Sequence, residues 1–140
     1  MSTTFDDGIV RPQPRPSEYS QAFWDATAEG RFLIQRCNAC AKALFYPRVN
    51  CTCGSTDLRD EDASGRGTVF TYTVARRPTH RSFGESPYVI AIVELAEGPH
   101  VTTNIVDCDP DAVRVGLEVE VVFAPAIDGV ALPLFRPVPG

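Results

Sequence analysis

Arg36-Cys37-Asn38-Ala39-Cys40, then ten intervening residues, then Cys51-Thr52-Cys53-Gly54, is the stretch from which the fold is read. A C-x2-C knuckle lets two thiolates on one tight turn reach the same ion, and two such turns close a tetrahedron. Soft thiolates at four corners select zinc or iron, and zinc is the commoner structural ion. A closed four-thiolate site keeps no open position for water. Cys37, Cys40, Cys51 and Cys53 are therefore expected to hold one zinc that serves folding, not catalysis. The second pair has a single intervening residue, a tighter turn than a knuckle, which leaves a three-ligand site as the alternative. The fifth cysteine, Cys108, stands apart with no nearby histidine or basic cluster to activate it.

Upstream of the cysteines, residues 1–16 contain Pro12, Pro14 and Pro16 and no apolar period, and read as an extended arm. Ser17 is placed to cap a helix over roughly 18–29, with Tyr19 and Phe23 at i and i+4, Trp24 widening the apolar face and Gly30 at the C′ position. A free helix of that length is marginal, so it must dock. Phe32 to Arg36 is a short β-like run leading into Cys37, and residues 17–36 form one lead-in unit before the metal module at 37–58.

Downstream, from Gly67, the texture becomes all-β. Thr68 to Arg76 alternates Val69, Thr71, Thr73 and Ala75 against Phe70, Tyr72 and Val74; Tyr88 to Leu95 is nearly continuous and reads as buried on both faces. His100 to Val106, Leu117 to Phe123 and Val130 to Arg136 are three further strands, and Asp128-Gly129 marks the hairpin between the last two. Five strands over 63–138 fit a small closed barrel, and the five-stranded OB-fold is the best match in size. The fold class is mainly β: an N-terminal helix, a zinc ribbon and a C-terminal five-stranded barrel.

The chain has 140 residues, 44% hydrophobic and 22% charged, with a formal net charge of −5. No apolar run approaches the roughly 18 residues of a membrane span. The start, Met1-Ser2-Thr3-Thr4-Phe5-Asp6-Asp7, has no basic and apolar leader, so a cytoplasmic location with reduced thiols is expected. Two basic stretches interrupt the acidity. One surrounds the cysteines (Arg31, Arg36, Lys42, Arg48); the other holds Arg66, Arg76, Arg77 and Arg81. Such local patches suit an anion or an acidic partner surface better than a long polyanion. No nucleophile elbow or phosphate-binding glycine loop is present. His80 sits in a loop, His100 opens a strand, and Glu94 and Glu97 lie near a strand end where carboxylates are ordinarily solvated.

The order of parts now carries a resemblance. Phe23-Trp24 and Glu29-Gly30 precede Leu33-Ile34-Gln35-Arg36-Cys37-x-x-Cys40; Phe45-Tyr46-Pro47-Arg48, the second cysteine pair and Gly65-x-Gly67-x-Val69 follow. Then come Pro87-Tyr88-Val89, Val93-Glu94-Leu95 with Glu97-Gly98, Gly116-x-x-Val119 and Leu134-Phe135-Arg136-Pro137. Over roughly residues 17–138 this resembles the zinc-ribbon/OB-fold family of acyl-CoA-associated proteins, long known only as a domain of unknown function. The pair Cys51-Thr52-Cys53 is one residue shorter than the C-x2-C usual in that family. The resemblance implies N-terminal helical structure, a rubredoxin-like ribbon with structural zinc, and an OB-fold. It also implies a non-catalytic partner of thiolase-fold enzymes, such as thiolase assemblies, steroid side-chain aldolases of the lipid-transfer-protein type, or acyltransferases. The partner's acyl-CoA would be received or channelled by the OB-fold.

The segment around Arg76, Arg77, His80 and Arg81 falls between the first two barrel strands, next to the usual OB ligand face. Guanidinium groups suit the 3′-phosphate and diphosphate of CoA, so these four residues are expected to meet CoA or an acidic partner. Two alternatives stand beside this reading. An accessory subunit of an enoyl-CoA hydratase would use the same parts. A single-stranded nucleic-acid binder would stack bases on Phe70, Tyr72 and Tyr88, and the acidic second half argues against it.

Overall fold

A computed structural model describes residues 14–77 and 87–139. Helix α1 (Gln21–Ala28) leads into a three-stranded sheet of β1 (Leu33–Cys37), β2 (Ala43–Leu44) and β3 (Leu58–Asp62) in the order β2-β1-β3. The remaining strands close a barrel: β4 (Arg66–Ala75), β5 (Tyr88–Leu95), β6 (His100–Ile105), β7 (Glu118–Phe123) and β8 (Pro133–Pro137), in the order β4-β5-β6-β8-β7. β4 and β7 seal the ring, and β6 and β8 are its parallel neighbours. This is the five-stranded OB topology expected from the sequence.

The helix is shorter than the sequence reading. Residues 18–20 form a turn, and Ser20 is the N-cap residue without a side-chain cap bond. Ser17 caps this leading turn: its hydroxyl accepts from Ser20 N–H at 3.2 Å, and the Ser20 hydroxyl accepts from Ser17 N–H at 2.9 Å. Tyr19, placed beyond the helix, is exposed, whereas Phe23, Ala26 and Thr27 are buried. The C-terminal end behaves as expected: Gly30, at φ +76°, donates to the Thr27 carbonyl.

Two short strands were not anticipated. β2 lies within the segment between the cysteine pairs, and β3 is the acidic block at 58–62. β3 pairs along the whole of β1, and the charges meet across the pair: Arg36 contacts Glu61 at 2.7 Å. In the register Arg36 stands opposite Arg59 and Glu61 opposite Ile34, so the Arg36–Glu61 contact crosses the pair diagonally.

In the barrel, Phe70 interrupts the alternation of β4. Val69 pairs with Val93 but Thr71 pairs with Ile92, so Phe70 is an extra residue at a β-bulge and is exposed. Beyond the bulge the phase flips. Tyr72 and Val74, not Thr71 and Thr73, stand opposite the buried Ala91 and Val89. β5 is buried on one face through Val89, Ala91, Val93 and Leu95, while Ile90 and Ile92 are half-buried, correcting the expectation of burial on both. The last strand begins at Pro133; Val130 belongs to a tight turn in which Ile127 and Val130 exchange both backbone bonds around Asp128-Gly129. Positive φ at both turn residues suits that sequence.

One core joins the helix to the barrel. Phe32 touches Phe23, Phe45 and Phe135 with ring centroids 5.2–6.1 Å apart. The buried Thr27 hydroxyl accepts from Ala131 N–H, tying α1 to the segment before β8.

Candidate functional site

The thiol cluster is built by two turns at the end of β1 and before β3. Cys37 N–H donates to the Lys42 carbonyl and Ala41 N–H returns to the Cys37 carbonyl, closing the first knuckle, with Ala41 at φ +65°. In the second turn, Cys51 N–H donates to Ser55 and Gly54 N–H donates to Cys51, with Gly54 at φ +95°. The single-residue spacing does not keep Cys53 away. All four Sγ atoms lie within 4.8 Å of one another, with Cys37–Cys53 at 3.8 Å and Cys40–Cys51 at 3.6 Å. A tetrahedron with zinc–sulfur bonds of about 2.3 Å has sulfur–sulfur edges of about 3.8 Å, so this cluster is able to bind one zinc.

The electrostatics of the bare thiols agree. The Cys53 N–H holds the Cys51 thiol down at about 6, and the Cys40 and Ala39 N–H groups lower Cys37. The Lys42 N–H acts the same way on Cys40, but thiolate neighbours and burial push Cys40 up to about 11. Sulfurs crowded this closely cannot all carry charge without a cation. The Lys42 ammonium, 3.1 Å from the Thr52 hydroxyl, adds positive charge beside the cluster. Cys37 and Cys51 are buried, and Cys40 and Cys53 are exposed.

The arginine segment is less organised. Arg76 and Arg77 are exposed just after β4, and Arg76 is engaged by Asp111 of the 3₁₀ turn Pro110–Ala112 at 3.3 Å. His80 and Arg81 lie outside the described residues. His100 contacts Glu94 at 3.1 Å and stacks on Phe70, so these groups are partnered on the barrel's exposed face. Glu97 is half-buried, not freely solvated as expected, and one of its oxygens accepts from Ser64 N–H. Cys108 is half-buried; burial, then Asp109 and Asp107, push its thiol up, which makes it a poor nucleophile.

The feature that sequence reasoning missed is a cleft. β6 and β8 pair only at Ile105–Phe135, and over Val101–Asn104 they leave a cavity of about 430 Å³. Phe23 and Trp24 of α1, the loop residues Phe45 and Tyr46, and Val101 and Leu134 of the barrel line it. The Tyr46 hydroxyl accepts from Thr102 N–H at 3.1 Å and pins the loop to the edge of β6. The aromatic pairs were visible in the sequence. Their convergence depends on how ribbon and barrel meet.

Comparison with known proteins agrees with this architecture. Residues 24–59 match the model "ChsH2, rubredoxin-like zinc ribbon domain" and residues 60–124 match "ChsH2, C-terminal OB-fold domain". The chain is 43% identical over 131 residues to the "Probable enoyl-CoA hydratase alpha subunit" of Thermomonospora curvata, a match covering 91% of this chain and 40% of that protein. It is 43% identical over 90 residues to the "DUF35 domain-containing scaffold protein" of Methanothermobacter thermautotrophicus, covering 63% of this chain and 68% of that one. The structure "Ltp2-ChsH2(DUF35) aldolase" contains a chain that superposes with a TM-score of 0.80 at 38% identity, covering 89% of this chain and 98% of that chain. The chain thus spans less than half the length of the Thermomonospora relative and nearly all of the aldolase-associated one. With the ribbon, the four-thiol cluster and the OB barrel all in place, this chain belongs to the DUF35 family of ChsH2-type proteins, in which a rubredoxin-like zinc ribbon is joined to a C-terminal OB-fold.

Proposed function

We propose that this chain is a non-catalytic accessory subunit that binds a thiolase-like or aldolase-type enzyme and helps to bind or channel its acyl-CoA substrate. The observation that carries the reading is the likeness, over nearly the whole partner-bearing chain, to the ChsH2 component of an aldolase assembly. The site chemistry is in keeping with it. Four thiols able to hold one zinc would leave it no open position, which is in keeping with a structural role for the ribbon. Exposed Tyr19, Tyr46 and Val49 lie on or beside the helix and the loop between the cysteine pairs, offering apolar surface for a partner.

A second partner class, an enoyl-CoA hydratase, is favoured by one specific observation: the matching region of the Thermomonospora relative is 40% of a protein named as a hydratase subunit. The roles of Arg76, Arg77, His80 and Arg81 belong to the same proposal: they would meet CoA phosphates or an acidic partner, with Arg76 first released from Asp111. Affinity purification of the tagged chain from its own host, with mass spectrometry, tests the reading. A thiolase-like or aldolase-type protein at near-equal amounts supports it, a hydratase selects the second partner, and a chain that purifies alone or with nucleic acid overturns both.

A further inference from the structure

We infer that Lys42 and Thr52 form a polar bridge between the two cysteine turns that completes the short second turn as half of a metal site: Thr52 donates to the Cys51 sulfur, and Lys42 positions Thr52 to do so. The bridge belongs to the thiol cluster and is independent of which enzyme the chain serves.

The need for it comes from the spacing. Zinc-binding turns ordinarily place roughly two to four residues between paired cysteines, and Cys51-Thr52-Cys53 places only Thr52 there. The consequence shows at the sulfurs. In the first turn the Cys37 sulfur faces two backbone donors, the N–H groups of Ala39 and Cys40. In the second, the Cys51 sulfur faces a single backbone donor, the N–H of Cys53. The side chain of the intervening residue stands in for the missing donor. The Thr52 hydroxyl lies 3.9 Å from Cys51 Sγ, within the longer reach of a sulfur acceptor, and 3.1 Å from Lys42 Nζ. An ammonium can only donate, so Thr52 Oγ1 is the acceptor from Lys42, and the hydroxyl proton is left for the sulfur. The direction of the bridge is thereby fixed, from Lys42 through Thr52 to Cys51.

Lys42 is suited to the task by where its backbone sits. It belongs to the first turn: its carbonyl accepts from Cys37 N–H at 2.9 Å, and its own N–H faces the Cys40 sulfur. Its side chain leaves from backbone already tied to one pair of thiols and crosses to the other pair. The neighbouring cations are engaged elsewhere. Arg36 bonds to Glu61 and to the Ala41 carbonyl, Arg59 bonds to Asn38 and contacts Glu61, and Arg48 lies over the Tyr46 and Phe45 carbonyls. Among the described residues no carboxylate pairs with Lys42. Four thiolates around a divalent ion leave a formal charge of about −2, which an ammonium without a carboxylate partner helps to offset. Groups that hold a metal's ligands in place from one layer out govern affinity nearly as much as the ligands do.

Two readings on the full-length chain test the bridge: zinc affinity, by competition with a chromophoric chelator, and the sulfur-to-metal absorption bands with cobalt(II) in place of zinc. Thr52→Val keeps the shape and removes the hydroxyl. It is expected to lower zinc affinity by about tenfold or more. It should also move the cobalt bands to lower energy, because a thiolate without a donor gives up electron density more readily. Lys42→Met should shift both readings in the same direction. Thr52→Ser, which restores the hydroxyl, should restore both. Since the two residues act in series, Lys42→Met combined with Thr52→Val should cost no more than Thr52→Val alone. Unchanged affinity and bands in Thr52→Val overturn the bridge. Additive losses in the double variant, or a loss in Lys42→Met with none in Thr52→Val, overturn it as well, because Lys42 would then act through charge alone. Circular dichroism with zinc present checks folding. If Thr52→Val does not fold, Lys42→Met decides: bands at lower energy support the bridge, and unchanged bands overturn it.

Discussion

Single atoms decide two of the residues in the Gly65-x-Gly67 motif. A Cβ on Gly67 would stand 2.5 Å from the Glu94 carbonyl oxygen and 2.7 Å from Val93 Cγ1, so backbone would have to move to admit it. Gly65, at φ +79°, faces Val121 Cγ1 at 2.6 Å in the same sense. Both glycines sit where β4 enters the barrel between β5 and β7. Gly67→Ala is therefore expected to destabilise the chain by about 1–3 kcal/mol, the usual cost of overpacking a close approach, measured as a lower urea midpoint with an unchanged slope. The cysteines are decided on the same scale. Cys53 reaches its three partners despite the short spacing because Gly54 takes a backbone conformation open to glycine and turns the chain immediately behind it.

Among the elements, the β1–β3 pair carries a diagonal ion pair, Arg36–Glu61, across a strand whose sequence offers little hydrophobic pattern. Arg36 holds the Glu61 carboxyl below its ordinary 4.5, first through their hydrogen bond and then through charge, with Arg59 adding to the effect. A depressed folded value means that the pair stabilises the fold above the ordinary carboxyl range and that this contribution is lost as pH falls through the folded value. Glu61→Gln should therefore lower thermal stability at neutral pH, and its deficit relative to the unaltered chain should close as pH drops below 4.5. A deficit that stays constant across that range, followed by thermal denaturation, would show that the carboxylate charge is not the cause. The other element-level feature, the bulge at Phe70, re-aims β4 so that its second half presents Tyr72 and Val74 to the β5 face carrying Ala91 and Val89.

For the molecule as a whole, the metal site and the barrel are mechanically joined. Phe32 precedes β1, which ends at Cys37, and the same ring packs on Phe135 of β8. Loss of zinc should therefore be felt beyond the ribbon. Chain purified without chelator is expected to carry one equivalent of zinc by elemental analysis, and its removal should lower the melting temperature and loosen the Phe45–Tyr46 loop, changing Trp24 emission as well. A metal-free chain that melts at the same temperature would separate the two modules. No helix among the described residues is long and apolar enough to cross a membrane.

The local chemistry was legible in the sequence because it is set by neighbours. The four cysteines, the Asp128-Gly129 turn, the Gly30 helix end and the β-rich second half depend on spacing, φ preference and periodicity within a few residues. Where a partner from far along the chain overrides local pattern, the sequence alone was insufficient. β3 forms by pairing along the whole of β1, a partner more than twenty residues away, and the phase of β4 flips because Val93 and Ile92 accept an extra residue between them. The cleft has no local signature at all: Trp24, Tyr46, Val101 and Leu134 meet only because a parallel strand pair parts and a ribbon loop closes over the gap. Composition and spacing determined a ribbon and a barrel; the docking of one on the other, which buries the shared aromatic core, decided where the molecule has room for a ligand.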